Sequence, residues 1–206
     1  MLNKESEILY WFAKEPWKKY TFTQMKKVSR KKSRSYMASV LGKLAKNGIL
    51  KRELFGHLPV YSLNMASAKA RIFAGFVLES YGWSRKHIPY GDMQRMMDKI
   101  PALGYVFIIT GSYARGKQTE KSDIDVAVLI DDNAEPKKVY AELSFYCELS
   151  IPKIHLYVFR NREFTEMLFS KEENYGKEIS RNNLLLAGGQ FYIKLVCEAV
   201  LNGYNG

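Results

Sequence analysis

The amino-acid sequence predicts an α+β fold of two units. Three observations carry that expectation. Positive charge is concentrated in the first third, three helical patterns and a hairpin follow one another within residues 1–65, and an order of strand, turn, strand, helix, strand and helices fills the rest. Hydrophobic residues make up 47% of the 206, enough for a packed core and too many for a disordered chain. Residues 1–65 hold 14 Lys and Arg against 4 Glu and no Asp, whereas residues 66–206 hold 18 Lys and Arg against 17 acids. The net charge of +11 therefore belongs almost wholly to the first unit, which is expected to meet a polyanion.

The first unit opens with "KESEILYWFAK", which places Ile8, Leu9, Trp11 and Phe12 on roughly one helical face. "PWKKY" breaks the pattern, and "TFTQMKKVS" reads as a short helix capped by Thr21 or Thr23. The longer pattern "SRKKSRSYMASVLGKLAKNGIL" carries the stripe Tyr36, Val40, Leu41 and Leu44 and stops at Asn47–Gly48, a pair suited to a C-terminal cap. "LKRELFGHLPVYSLN" reads as two short strands around Gly56. Three helices closed by a hairpin make a winged helix-turn-helix over residues 1–65. Its basic segment "KKVSRKKSRSY" falls at the start of the expected recognition helix. Arg30, Lys31, Lys32 and Arg34, with Lys51 and Arg52 of the hairpin, are thus the candidate contacts to duplex DNA. A solvated basic face, an RNA module or a protein-binding module would leave the same signature.

In residues 66–206, "MASAKARIFAGFVLESYGW" and "YGDMQRMMDKI" read as helices. "GYVFIIT" is a continuous apolar run and so a buried strand, and "SDIDVAVLI" is the next strand. "EPKKVYAELSFYCEL" is helical, with Pro136 suited to a first turn. "KIHLYVF" is a third strand. "REFTEMLFSKEENYGKEIS" and "QFYIKLVCEAVL" read as helices separated by Gly188–Gly189. The stripe Phe191, Tyr192 and Leu195 suits a core or a homodimer surface. Cys147 and Cys197 have no metal-binding spacing and fit a reducing cytoplasm. No apolar run reaches the ~18 residues of a membrane span, and charge interrupts the N-terminal apolar residues, unlike a signal peptide.

The stretch "FIITGSYARGKQTEKSDIDVAVLI", residues 107–130, carries the chemistry and can be read in two ways. Gly111 to Lys117 spells G-x-x-x-x-G-K, most of a P-loop. A P-loop needs Ser or Thr directly after the Lys and a long helix behind it. Here Gln118 follows Lys117, and only residues 119–122 separate Gln118 from the strand at Asp123. The other reading takes Gly111–Ser112 together with Asp123 and Asp125. On a strand both carboxylates point the same way, opposite Ile124, Val126 and Val128. Two like charges that close call for a cation between them, and oxygen ligands with open positions suit Mg2+. Gly111 permits close backbone approach to a phosphate, and the Ser112 hydroxyl can donate to one of its oxygens. A phosphate cradle beside a metal-binding carboxylate pair forms a phosphoryl- or nucleotidyl-transfer site.

These residues resemble the DNA polymerase beta-like nucleotidyltransferase superfamily, especially its minimal members. That family's pattern is Gly-Ser, ten residues, then Asp-x-Asp, often with Ala-Arg-Gly after the Ser and a Ser before the first Asp. Gly111, Ser112, Ala114, Arg115, Gly116, Ser122, Asp123 and Asp125 match it, and the resemblance covers roughly residues 104–160. It implies transfer of a nucleoside monophosphate from an NTP, ATP foremost, to a hydroxyl, with release of pyrophosphate. It also implies a small mixed sheet flanked by helices over residues 66–206, and small members fused to a winged helix are part of the family.

Catalytic members of the family carry a third carboxylate on a later strand. In "KIHLYVF" that place is held by His155, which alternation puts on one face with Tyr157. His155 is either a working base or a poor metal ligand, and Glu148, nearby in sequence, falls in the helical stretch before this strand. Arg115 is a phosphate contact, a surface arginine or a partner of Asp131 or Asp132, and Lys117 and Lys121 read as solvated loop charges. The expected nucleotide site is thus Gly111, Ser112 and Arg115, with Asp123 and Asp125 for Mg2+ and His155 beside them. Two functions follow: an active nucleotidyltransferase with a DNA-binding winged helix, or a DNA-binding regulator or antitoxin-like protein whose transferase unit binds nucleotide or a protein partner without efficient catalysis.

Overall fold

The computed structural model describes residues 4–31 and 33–206. Helix α1 (Lys4–Lys14) buries Ile8, Leu9, Phe12 and Ala13. Strand β1 (Tyr20–Thr21) leads directly into α2 (Phe22–Val28). Of the two candidate caps Thr21 is the one used. Its hydroxyl accepts from Gln24 N–H at 3.3 Å, and the Gln24 amide oxygen accepts from Thr21 N–H at 2.8 Å, a reciprocal capping box.

Helix α3 (Arg34–Lys46) starts behind the Ser33 cap and buries Met37, Val40, Leu41 and Leu44. It ends at Asn47, and Gly48 takes the left-handed φ of +69° that such a stop requires. Strands β2 (Leu50–Phe55) and β3 (Leu58–Leu63) pair antiparallel, and β1 adds to β3, giving the order β1-β3-β2.

Two helices follow, the long α4 (Ala68–Gly82) and the short α5 (Tyr90–Met97). The second sheet then forms from β4 (Tyr105–Thr110), β5 (Ile124–Ile130), β6 (Ile154–Arg160) and β7 (Leu184–Ala187), in the order β6-β5-β4-β7. β5 and β6 are parallel and the other pairs antiparallel, so the sheet is mixed. The connections are α6 (Gly111–Arg115), α7 (Pro136–Leu149), α8 (Asn161–Phe169) and α9 (Tyr175–Arg181), and α10 (Gly189–Leu201) closes the fold.

Strand alternation feeds two cores. Val106, Ile108, Ala127 and Leu129 pack toward α4 and α10, and Phe107, Ile109, Val126 and Val128 pack toward α5 and α7. β5 is therefore buried on both faces from Val126 onward, and only its first residues keep a polar face. The first core is shared with the N-terminal elements: Ile8, Leu9 and Phe12 of α1 lie in one buried cluster with Ala70, Ala74 and Val77 of α4 and Val196 of α10. Each large side chain so buried contributes about 1.5–3 kcal/mol, so α1 is held to α4 by packing as well as by chain connection.

Three features go beyond or differ from the sequence reading. β7 lies in a stretch that the sequence leaves unassigned. Its four residues "LLLA" carry no period, and only pairing with β4 makes them a strand. The single helix expected from "REFTEMLFSKEENYGKEIS" is two, because Asn174 caps a new helix by accepting from Lys177 N–H at 3.1 Å. The C-terminal stripe also splits, Tyr192 being buried and Phe191 exposed. Both cysteines are free and buried, and burial pushes their thiols up, to about 11 for Cys147 and about 12 for Cys197. Among the described residues no helix is long and apolar enough to cross a membrane.

Candidate active site

Two chain segments meet at one end of the mixed sheet. β4 ends at Thr110 and turns at Gly111; β5 starts at Ile124, directly after Asp123. The antiparallel register pairs Thr110 with Asp125, which brings the Gly111 turn over the Asp125 carboxylate. Gly111 has φ +64°, and a Cβ on it would run into Asp125 Oδ2. Backbone conformation and space thus both demand glycine. The spacing from Gly-Ser to Asp-x-Asp is the length of chain needed to leave one strand and re-enter the next beside it. α6 is only five residues long and closes at Gly116, with φ +65°. No long helix follows the G-x-x-x-x-G-K string, so the P-loop reading lacks the helix it needs.

The parallel register of β5 and β6 sets His155 beside Asp125. Its Nε2 lies 3.4 Å from Asp123 Oδ2 and its Nδ1 3.8 Å from Asp125 Oδ1. Three side chains singled out in the sequence therefore stand together. Burial pushes the Asp125 carboxyl above its ordinary range and Asp123 adds to this, while His155 and Arg115 pull it back. Among the described residues no three His, Cys, Asp or Glu side chains make a ready metal cage. The donor set is two carboxylates. It fits Mg2+, which keeps water and substrate phosphate as its remaining ligands.

Arg115 does not pair with Asp131 or Asp132. It forms an ion pair with Glu178 of α9, while Asp132 accepts from the Arg162 N–H at 2.8 Å. Glu178 also accepts from Asn182 Nδ2 at 3.2 Å. Ser112 is half-buried on the first turn of α6, and its carbonyl accepts from Lys117 N–H at 2.9 Å. Lys117 and Lys121 are exposed.

Two residues near the carboxylate pair escaped the sequence reading. Glu178 lies 63 positions from its partner Arg115 and belongs to no motif. Tyr175 packs its ring 4.5 Å from that of Tyr157, and its buried hydroxyl has no hydrogen-bond partner among the described residues. Burial, and then the nearby Asp125 charge, push that hydroxyl well above its ordinary pKa. Only helical position and aromatic character mark these residues in the sequence, and neither signals a site.

β6 is an edge strand, and a groove of about 420 Å³ runs along it. His155, Tyr157, Lys153, Tyr140, Ser144 and Glu148 line it. Glu148 thus reaches the groove that begins at His155.

The basic candidates of the first 65 residues lie apart from this site. α3 begins at Arg34, so Arg30 and Lys31 belong to the turn before it rather than to the helix start expected from the sequence. Arg30 takes a positive φ of 54°, which ends the helical path, and Ser33 restarts it by accepting from Tyr36 N–H at 3.2 Å. Lys31 is engaged by Glu7. Lys32 lies outside the described residues. Arg34 is exposed, with its guanidinium 5.9 Å from the Phe22 ring centroid, and Lys51 and Arg52 are exposed on β2.

Residues 94–184 match the family model described as a nucleotidyltransferase domain, a segment that contains Gly111, Ser112, Asp123, Asp125 and His155. A relative from Methanocaldococcus jannaschii, named as a candidate protein adenylyltransferase, is 56% identical over 39 residues. The match covers 18% of this chain and 39% of the relative, so the chain spans about two fifths of the curated relative it matches. A solved structure described as a toxin-antitoxin with AMP-PNP shares 20% identity at a TM-score of 0.39, covering 57% of this chain and 87% of that one.

Proposed function

We propose that the protein is a magnesium-dependent nucleotidyltransferase that moves a nucleoside monophosphate from an NTP, ATP foremost, to a hydroxyl acceptor. The observation that carries this reading is the seating of Asp125 against Gly111, with Asp123 and His155 beside it. Asp123 and Asp125 would hold Mg2+, and the ion would supply Lewis-acid stabilisation of phosphate charge there. The Gly111–Ser112 turn lets the phosphates approach the backbone, and the Ser112 hydroxyl donates to them. His155 stands where it can take the acceptor's proton. The acceptor oxygen bonds to the α-phosphorus, the bond to the β-phosphate oxygen breaks, and pyrophosphate leaves. The acceptor enters along the β6 groove. The name of the Methanocaldococcus jannaschii relative favours a protein hydroxyl. Arg115, paired with Glu178 and close enough to Asp125 to pull its pKa down, would lend positive charge to the nucleotide site.

The helix–strand–helix–helix–hairpin order of residues 4–63 supports a winged helix. Its exposed Arg34, Lys51 and Arg52, with Arg30, would contact DNA phosphates. One observation favours the alternative, a regulator that binds nucleotide without efficient catalysis: His155 holds the place of a third carboxylate, and magnesium prefers oxygen ligands.

Incubation with ATP labelled on the α-phosphate and MgCl2 separates the two. Labelled product is expected from the wild-type chain. Asp125→Ala is expected to lose magnesium-dependent ATP binding and keep its fold. Wild-type affinity in that variant would overturn the site assignment, and binding without product would leave the regulator.

A further inference from the structure

We propose that the acceptor is an extended polypeptide segment that joins the mixed sheet as an added strand, pairing with the open edge of β6 and setting its hydroxyl residue beside His155. This inference rests on the nucleotidyl-transfer reading and leaves its chemistry unchanged.

The mixed sheet has two edges, β7 and β6. The β7 edge is closed. Helix α4 lies so near that a Cβ on Gly82 would run into the Leu185 carbonyl, and Trp83 Nε1 donates to the Leu186 carbonyl at 2.8 Å. The β6 edge differs. Ile124 N–H donates to the Lys153 carbonyl at 2.9 Å, which with the parallel register turns the N–H and C=O groups of His155, Tyr157 and Phe159 toward β5. Those of the alternate residues, Ile154, Leu156, Val158 and Arg160, therefore point away from the sheet. Arg160 N–H is taken by Glu163 Oε2 at 2.7 Å, at the start of α8. Among the described residues no hydrogen bond reaches the outward groups of Ile154, Leu156 or Val158.

The open row of donors and acceptors thus runs from Ile154 to Val158, roughly 13 Å at about 3.3 Å per residue. It begins at the sheet end that carries the carboxylates and stops where Glu163 caps the strand. An unpaired strand edge is a template for another extended chain. Such a chain would lie about 4.8 Å from β6, and its residue opposite His155 would bring its Cβ to about 5 Å from that of His155. Alternation puts that side chain on the face of Asp123, Asp125 and His155. The side chains on either side of it would enter the groove against Tyr140, Ser144 and Glu148 of α7, a largely polar wall.

A sugar or a small alcohol has no alternating N–H and C=O groups to match this row. A second copy paired edge to edge about a two-fold axis would lay its strand over the groove and cover His155, whose side chain is 48% exposed. A polypeptide acceptor satisfies the edge and delivers a hydroxyl to the site at once.

The test is transfer from ATP labelled on the α-phosphate, with MgCl2, to a library of peptides of about nine residues, long enough to span the open edge, with a central Ser, Thr or Tyr and random flanks. Two further libraries carry N-methyl groups on alternate residues, one in each frame. Strand pairing uses the N–H groups of alternate residues only. The initial rate is expected to fall by about 10- to 100-fold in one frame, the scale of two lost hydrogen bonds, and to persist in the other. On the protein side, full-length Leu156→Pro deletes one outward N–H and spares the bonds to β5, a change that edge strands accept. It should slow transfer to unmodified peptides by about tenfold while ATP affinity and the melting curve stay near wild type. The methylated libraries decide the matter even where that variant does not fold. Equal rates for all three libraries, or equal losses in both frames, would overturn strand pairing and leave the nucleotidyl-transfer reading in place. ATP binding without labelling of any peptide would overturn the polypeptide acceptor. A wild-type dimer that Leu156→Pro converts to monomer would assign the edge to a second copy and overturn the proposal as well. A wild-type chain that does not bind ATP would remove the transfer reading and the added strand with it.

Discussion

Asp123, Asp125 and His155 sit at the start of two hydrogen-bonded strands, whereas Arg30, Lys51 and Arg52 sit on a turn and an exposed ribbon. The two regions show how differently a structure holds polar side chains. Asp125 is fixed by register: it faces Thr110 on one side and His155 on the other, and Gly111 is cut away to receive it. A slip of one residue in β5 would turn both carboxylates into the opposite core. Nothing comparable orients Lys51 or Arg52, and Lys31 is already engaged by Glu7. The tip of their hairpin is apolar as well, with Leu54, Phe55 and Leu58 exposed by 67, 82 and 62%. A motif on paired strands therefore encodes geometry, whereas a cluster of charge encodes only the sign of the partner.

If this contrast is right, changes at the registered site act on chemistry and changes at the ribbon act on salt dependence. The largest effect is expected from His155→Ala, which should slow transfer by about 10² to 10⁴ in kcat if the imidazole takes the acceptor proton. A neutral His155→Ala together with a faster His155→Asp would instead show that the position lacks an oxygen ligand, and the regulator reading would gain. Gly111→Ala comes next. It must strain φ or displace Asp125, and a shift of about 1 Å costs on the order of 10² in rate. Steady-state kinetics would show it, and unaltered kcat/KM would mean that the seating of Asp125 is not what the site needs.

At the ribbon, Lys51→Ala with Arg52→Ala should make the log–log salt dependence of duplex DNA binding shallower by about 2. The loss should be equal for all sequences, as fluorescence anisotropy across a salt series would reveal. A slope that does not change would remove these residues from any DNA contact.

The smallest effect is thermal. The folded-state pKa of Asp125 is raised, chiefly by burial, so its ionised form disfavours the fold. That cost is fully present above the raised pKa and disappears as pH falls below the ordinary carboxylate value. Without divalent cation, Asp125→Asn should thus raise Tm at neutral pH by a few degrees, roughly what ~1 kcal/mol gives in a chain of this size. The difference should close toward pH 4. A gain in Tm that persists unchanged in acid would mean that the carboxylate charge is not its source.

How much could be read without coordinates followed the range over which the deciding contacts act. α2, α3, the Gly56 hairpin, β4, β5 and α7 are legible because their signals are local: the Thr21 and Gln24 capping box, the stop at Gly48, the apolar runs. The Gly111, Ser112, Asp123 and Asp125 constellation is legible for the same reason, since its parts are joined by one short connection. His155 is on the border. Strand alternation sets which face it takes, but only the parallel pairing of β6 with β5 sets it beside Asp125. Other features are decided wholly by packing between distant segments. β7 is a strand because β4 offers it an edge, Arg115 turns to Glu178 because α9 folds back over α6, and Lys14 meets Asn183 because Ile8, Leu9 and Phe12 seat α1 on α4. Period and propensity describe a residue's neighbours along the chain. Contacts over 60 to 170 positions depend on how whole helices and strands stack, and that enters the chemistry only when the core closes.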